Sequence, residues 1–290
     1  METIIIITAI YNDWESFSKL INEINKNIST FKDISFKLIA INDGSKSKAP
    51  KFKLPPNLEL IEILNMKKNQ GHGICFANGI KYALKKFHFD HLILMDADGE
   101  DRPEELADLI NKANEYQNIS VVAKRVKRSE GMIFRVLYNL HKVITLVFTG
   151  KLINFGNYSI LTKKDAELII SDPTIINSIP GTIKNKIKKL ESINCTRGIR
   201  YFGPSKMPLF KLILLSFSII SVFKMNVFIR SALFLVLLTY LHPYLDVMTS
   251  LFQLMIVIFN ILIYVISTKS SDSRLKNLGE QIGEIDKVTH

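Results

Sequence analysis

Cysteine is nearly absent from the 290-residue chain: Cys75 and Cys195 are its only two thiols. So few, so far apart in sequence, support neither a disulfide framework nor a zinc cluster, and they suit a reducing cytosolic compartment. The features of a secretory signal are also missing. Met1–Ile10 has no basic start and no small-residue cleavage site, and it is too short for a signal, so it reads as a buried strand. No internal repeat is present. Acidic side chains are the scarcer charge, 27 against 38 Lys and Arg, and that imbalance suits nucleic acid, an anionic bilayer surface or a phosphate-bearing substrate. Nucleic acid is disfavoured among these, because the cations gather near the apolar carboxyl-terminal region without interleaved aromatics.

Apolar sequence is abundant, in two arrangements. Residues 1–125 alternate β-rich runs with helical periodicity, the pattern of an α/β fold with a mostly parallel sheet covered by helices. Strands are predicted over Thr3–Ile10, Phe36–Ile41 and His91–Met95, each ending in polar residues that it would deliver to the carboxyl edge of the sheet. Ligands of open α/β sheets bind at that edge. Helices are expected over Trp14–Ile28 and Gly73–Phe87, with the basic, Pro-containing segment Lys46–Pro56 as a loop. Val121–Ala123 reads as a further strand, and the spacing of apolar residues over Met132–Phe148 predicts a core-facing helix.

The second arrangement is a string of long apolar runs. Residues 208–223 reach only about 24 Å as a helix, short of a ~30 Å hydrocarbon core. Flanking Lys206, Lys211, Lys224 and Arg230 favour an amphipathic helix in the headgroup region. Ser231–Leu245 (about 22 Å, with Arg230 placed to snorkel) and Val247–Ser267 (about 31 Å) are then expected to form a transmembrane hairpin. Basic residues flank both outer ends, while the turn carries Asp246 and no Lys or Arg, so both ends should face the cytosol. The domain plan is a catalytic unit over 1–205, a juxtamembrane helix over 206–230, the hairpin over 231–267 and a cytosolic tail over 268–290. A third span at 208–223 would instead carry the tail across the membrane, and a helical pair buried in a soluble domain would need no membrane.

The stretch His91–Glu105, HLILMDADGEDRPEE, carries the clearest chemistry. An apolar strand ends abruptly in Asp96 and Asp98, followed by Glu100, and these three offer hard oxygen ligands to Mg²⁺ or Mn²⁺ bridging a diphosphate. Such a cation would stabilise the charge of a departing nucleoside diphosphate. Asp101 has a competing role as the cap of the helix Pro103–Tyr116. Asp43, at a strand end, can accept hydrogen bonds from a ribose or base edge or serve as a turn residue. Gly71 and Gly73 would let backbone approach a donor, or simply form a turn. Arg125 can clamp a phosphate with its planar fork, while Arg200 and Lys206 stand beside the membrane-proximal helix where a lipid phosphate would arrive. His72 and His242 receive no function.

Five separated segments together resemble a known family, the inverting nucleotide-sugar glycosyltransferases of GT-A fold, in particular the polyprenyl-phosphate branch that includes dolichol-phosphate mannose synthase. Ala9-Ile10-Tyr11-Asn12-Asp13 is similar to the family's Pro-x-Tyr-Asn-Glu, and Asn42-Asp43-Gly44-Ser45 to its Asp-Asp-Gly-Ser. Asn69-Gln70-Gly71-His72-Gly73 resembles its glycine turn, and Asp96-Ala97-Asp98 with Arg102-Pro103-Glu104 its metal motif. Arg200-Tyr201-Phe202-Gly203-Pro204-Ser205-Lys206 resembles the Arg-x-x-Gly-x-Ser-Lys element ahead of the membrane segments. The departures are Ala9 for Pro, Asp13 for Glu and Asn42 for the first Asp of its pair. Residues 126–199 match poorly, and Asn154 receives no catalytic role.

The resemblance implies a membrane-bound enzyme moving a sugar from a UDP- or GDP-sugar to polyprenyl phosphate with inversion, alone or as a homo-oligomer, with its catalytic domain at the cytosolic face. Ala9, Tyr11, Asp13, Asp43, Gly71, Gly73 and Asp96 would line the donor pocket. Asp96, Asp98 and Glu100 would hold Mg²⁺ or Mn²⁺, and Asp98, Arg125, Arg200 and Lys206 would serve the transfer. A phosphate acceptor, largely dianionic at neutral pH, needs no strong base. A sugar-hydroxyl acceptor, as in capsule or lipopolysaccharide synthesis, would need one, with Glu100 the nearest candidate. A non-catalytic membrane-bound binding protein is the remaining reading.

Overall fold

The computed structural model describes the chain except for residues 117–118, 128–131, 204–208, 246 and 289–290. Among the described residues a single sheet runs in the order β7-β5-β6-β4-β1-β2-β3-β8. Its centre is β1 (Glu2–Ile10), flanked by β2 (Ile34–Asn42) and β4 (His91–Leu94), with β3 (Leu60–Met66) outside β2, all parallel. The run Ile4-Ile5-Ile6-Ile7 is apolar throughout because both of its faces are covered. Ile4 and Ile6 join the cluster beneath α1 (Trp14–Ile28) and α3 (Leu106–Glu115), whereas Ile5 and Ile7 join the one beneath α2 (His72–Lys86). Each fully buried isoleucine contributes about 1.5–3 kcal/mol relative to exposure, which makes this strand the anchor of a three-layer unit.

Beyond β4 the expected parallel order stops. β6 (Phe155–Thr162) inserts antiparallel between β4 and β5 (Ser120–Lys127), and β7 (Leu190–Thr196) closes that end parallel to β5. The sheet is therefore mixed, mostly parallel, with β6 and the last strand β8 running against the other described strands. Two short helices, α5 (Lys163–Ile170) and α6 (Ile179–Lys186), cover this half on the α2 side, with a 3-10 turn, Pro173–Ile176, between them.

The helix α4 (Met132–Thr149) corrects its expected place. Leu140 and Val143 are more than half exposed, and the helix packs on the apolar carboxyl-terminal helices rather than on the sheet core. Phe148 stacks near Phe234 (5.6 Å between centroids) and Phe259 (4.7 Å). Periodicity reveals an apolar face but not its partner. After α7 (Leu209–Ser221) comes α8 (Lys224–Leu245), which starts seven residues before the predicted span, and then α9 (Val247–Ser267). With 22 and 21 residues, α8 and α9 are both long and apolar enough to cross a membrane. Arg230 is an exposed side chain that contacts α4. Its guanidinium donates to the Val147 carbonyl at 3.0 Å, joining Asn226 on Thr149 at the same distance, so α8 caps the electronegative carboxyl end of α4.

The tail beyond α9 rejoins the sheet. After α10 (Asp272–Lys276), β8 (Ile282–Val288) pairs antiparallel with β3. Lys81 of α2 donates to the Lys276 carbonyl (2.9 Å), and the Asn78 side chain accepts from the Gly279 amide (2.6 Å). At the carboxyl end of α9, Asn177 bonds Ser221, Ser270 and the Ile266 carbonyl, tying α7 and α9 to the sheet unit.

Candidate active site

The chain lays β1, β2 and β3 outward in one direction and then places β4 on the opposite side of β1. A crevice opens at such a switch point, outside the carboxyl ends of β1 and β4. Tyr11–Asp13 leave one wall and Asp96–Asp98 the other, and a single guanidinium spans the gap. Arg200 donates through Nη2 to Asp13 at 2.6 Å and through Nη1 to Asp98. The Arg200 segment is also fastened by its backbone. The Gly198 amide donates to the Glu100 carbonyl and the Tyr201 amide to the Asp98 carbonyl, both at 2.8 Å, while Arg197 pairs with the Glu100 carboxylate. Gly99 has no alternative in this interface. Its φ of +89° is left-handed, and a Cβ there would lie 2.7 Å from the Tyr201 ring. The Lys19 ammonium sits 4.6 Å from the centroid of that ring.

Behind Asp98 lies a dense group of carboxylates. The Asp96 side chain accepts from His72 Nε2 (2.9 Å) and Asn157 (3.4 Å), and its amide donates to Asp101 (3.0 Å). Asp101, 3% exposed, also receives Arg125 at 3.3 Å. It therefore does not cap the following helix, and Arg125 is the side chain that pairs with it. Burial first, then the charges of Asp96 and Glu100, push the Asp98 carboxyl up to about 6. Burial and Asp96 likewise push Asp101 up to about 7. Burial opposes ionisation of Asp96 too, but His72 beside it outweighs that and holds it below the usual carboxylate range. The same pairing raises His72 against the effect of its burial.

This crowding tests whether a divalent cation fits. Among the described residues no three His, Cys, Asp or Glu side chains converge as a cage, and Glu100 pairs with Arg197. A cation bridging a diphosphate takes only one or two carboxylates from the protein, the remainder coming from phosphate and water. Asp98 and Asp96 meet that need, and a group of carboxylates crowded enough to hold protons near neutral pH would be relieved by the added positive charge. The donor set fits.

Along the β1–β2–β3 edge the predicted donor residues divide. Tyr11 is exposed and Ala9 half-buried. The Asp43 carboxylate, 5% exposed, is consumed by the glycine turn: it accepts from the amides of Gln70 (2.6 Å) and Gly71 (3.0 Å) and from the Asn69 side chain (3.0 Å). It organises the turn. Gly71 has φ +92° and open space where a Cβ would be, leaving backbone approachable, whereas Gly73 is required for packing, since a Cβ would stand 2.8 Å from the Ile176 carbonyl. Lys206 lies outside the described residues. His72, Asn157 and Arg197 were missed in the sequence. Arg197 had a signal in its closeness to Arg200, but Asn157 arrives on β6, whose antiparallel insertion no local pattern announces.

A parallel β3-β2-β1-β4 half-sheet with an acidic switch-point crevice, extended by an antiparallel insert, defines the GT-A class of sugar-transferase folds. The chain belongs to glycosyl transferase family 2, whose profile matches residues 5–173. It is 27% identical over 163 residues to an uncharacterized glycosyltransferase of Synechocystis sp., covering 55% of this chain and 50% of that protein. Over 226 residues it is 23% identical to the undecaprenyl-phosphate 4-deoxy-4-formamido-L-arabinose transferase of Photorhabdus laumondii, covering 74% of this chain and 66% of the relative. The chain thus spans half to two thirds of the length of these curated relatives. Among solved structures it resembles glucosyl-3-phosphoglycerate synthase of Mycobacterium tuberculosis, crystallised with Mn²⁺, UDP and phosphoglyceric acid (TM-score 0.55, 14% identity, 78% of each chain). It also resembles mannosyl-3-phosphoglycerate synthase of Rubrobacter xylanophilus (TM-score 0.53, 13% identity, 78% and 74%).

Proposed function

We propose that the chain transfers a sugar from a nucleoside-diphosphate donor, UDP- or GDP-linked, to a polyprenyl phosphate with inversion. The reaction takes place at the cytosolic face of a membrane crossed by α8 and α9. The observation that carries this reading is the path of the chain out of the crevice. Arg200 is clasped between Asp13 and Asp98, and within ten residues the chain has entered the apolar helix α7. A phosphate held at the headgroup level by an isoprenoid tail would meet this cationic segment first. The undecaprenyl-phosphate relative supports that acceptor class, and the UDP-bound and Mn²⁺-bound neighbour supports the donor and the cation.

In the transfer, an acceptor phosphate oxygen forms a bond to the anomeric carbon as the bond from that carbon to the donor diphosphate breaks. The nucleoside diphosphate leaves with the electron pair. The attacking phosphate is already largely dianionic at neutral pH, so no proton has to be removed. That agrees with Glu100, the one base candidate for a hydroxyl acceptor, being engaged by Arg197. Asp98 and Asp96 would hold a divalent cation, which would supply charge stabilisation to the departing diphosphate. Arg200 neutralises Asp13 and Asp98 before the donor arrives and, with Lys206, orients the acceptor phosphate once those carboxylates are otherwise occupied. Arg125, by holding Asp101 and through it the Asp96 amide, positions the acidic loop.

The test is a donor screen on detergent-solubilised protein with undecaprenyl or dolichyl phosphate, comparing wild type with Asp98→Ala. Labelled sugar in a mild-acid-labile lipid, and a loss of about 100-fold or more in the variant, is the expected result. Equal activity in the two proteins would remove Asp98 from the reaction, and label in an acid-stable product would redirect the acceptor to a hydroxyl.

A further inference from the structure

The carboxyl-terminal strand does more than close the sheet. On β8, the Asp286 carboxylate accepts from Asn65 Nδ2 (2.8 Å) at the end of β3. Asn65 Oδ1 in turn accepts from Asn42 Nδ2 (2.8 Å) at the end of β2, and Asn42 Oδ1 accepts from the Ser45 amide (3.0 Å). Ser45 Oγ accepts from the Asn12 amide (2.9 Å), one residue before Asp13 of the crevice. The chain of bonds has only one polarity. A carboxylate is acceptor-only, so Asp286 fixes which face of the Asn65 amide turns toward it, and the other face, an oxygen, then requires a donor at position 42. Asparagine meets that requirement and aspartate cannot. The departure at Asn42 from the paired aspartates of similar sequences thus has a physical cause on a strand more than two hundred residues away.

We propose that Asp286 is a positioning residue of the nucleotide edge, and that the negative charge missing at position 42 has been relocated to β8. The proposal rests on the reading that the β1–β2–β3 edge holds the donor nucleotide. The same tail segment also grips the neighbouring loop, because the Lys67 amide donates to the Gln281 carbonyl (2.9 Å) and the Lys67 ammonium to the Glu280 carbonyl (2.9 Å). Residues 42–46 and 67–71, the two loops around Asp43, are therefore both held from the tail segment 280–286.

An exchange of charge between the two positions tests this in the full chain. Asn42→Asp alone sets two acceptors against each other, and Asp286→Asn alone removes the group that orients Asn65. Combining them lets the Asn65 amide turn over and restores one donor to one acceptor at every link. Each single substitution is expected to raise the donor KM, and the dissociation constant for UDP or GDP titrated with Mn²⁺, by about three-fold or more with kcat unchanged, and the double variant to return within about two-fold of wild type. Lys287→Ala, the neighbouring exposed residue on the same strand, should leave nucleotide binding unaltered. A double variant no better than the worse single, or an Asp286→Asn protein that binds nucleotide like wild type, overturns the proposal. Wild type binding neither nucleotide would overturn the donor reading itself. In that case, recovery of melting temperature in the double variant would leave Asp286 a purely structural link and refute its role at the pocket.

Discussion

At the scale of single residues, the acidic groups of the crevice separate into those that face a ligand and those that hold the walls. Among the described residues, Asp98 is bound through the Arg200 side chain and the adjacent Glu100 amide. Asp43 by contrast satisfies three donors of one turn, and nothing else in the described structure can replace it. Asp43→Ala would leave buried amides without acceptors, at a cost of about 1–3 kcal/mol. We expect a lower thermal midpoint in detergent together with a raised donor KM, and Asp43→Asn to recover part of both. A variant that melts like wild type would show that water replaces the carboxylate. Asp43 illustrates what was legible in the sequence and what was not. Its place at the strand end and its membership of the site were plain, but its partners lie 26 to 28 residues on, in a turn whose approach depends on Gly44, where a Cβ would meet the Asn69 amide at 2.7 Å.

At the scale of elements, the strands legible in the sequence were those whose two faces are buried, because continuous apolar runs such as Ile4–Ile7 admit few other readings. β3 and β7 were not read from the sequence either, and β6 and β8 escaped for opposite reasons: β6 is set by long-range antiparallel pairing, and β8 is a mostly exposed edge strand with little apolar signal. The turn Pro173–Ile176 was equally silent, although it supports the amino end of α2 through Gly73. Its geometry is pinned by Asp172, which accepts from the Thr174 amide (2.8 Å) and pairs with Lys186 of α6 (2.6 Å). Burial disfavours the Asp172 charge, but Lys186 and Thr174 overcome that and depress its pKa. A depressed carboxylate contributes stability above its unfolded pKa and loses it as pH falls through the folded value. Asp172→Asn should therefore melt below wild type at neutral pH, by less than about 1 kcal/mol given the exposed Lys186, with the two curves converging as the medium is acidified through and below the ordinary carboxylate range. A difference that persists unchanged in acid would assign the effect to packing.

At the scale of the whole molecule, β8 decides between the ways in which the apolar helices can be threaded. The chain leaves the sheet unit before α7 and returns to the same sheet after α9. An even number of crossings satisfies that closure; three spans through α7, α8 and α9 would strand β8 on the far side of the bilayer from β3. The two long helices meet through polar contacts, His242 on Thr249 (2.7 Å) and Gln253 on Thr239 (3.0 Å), as expected of a hairpin packed in an apolar medium. Labelling with a membrane-impermeant maleimide can read this arrangement cleanly. Both native thiols are free and buried, and burial pushes each well above the ordinary thiol range, so neither should react in the folded protein. A cysteine introduced as Ser273→Cys in α10 should label in inside-out vesicles and stay silent in intact cells, whereas Tyr244→Cys near the hairpin turn should do the reverse. If both positions label from the same side, α8 and α9 lie along the membrane or within a soluble assembly instead of crossing. If Ser273→Cys labels from outside and Tyr244→Cys from inside, the catalytic sheet itself faces away from the cytosol. The proposed supply of cytosolic nucleotide sugar then fails.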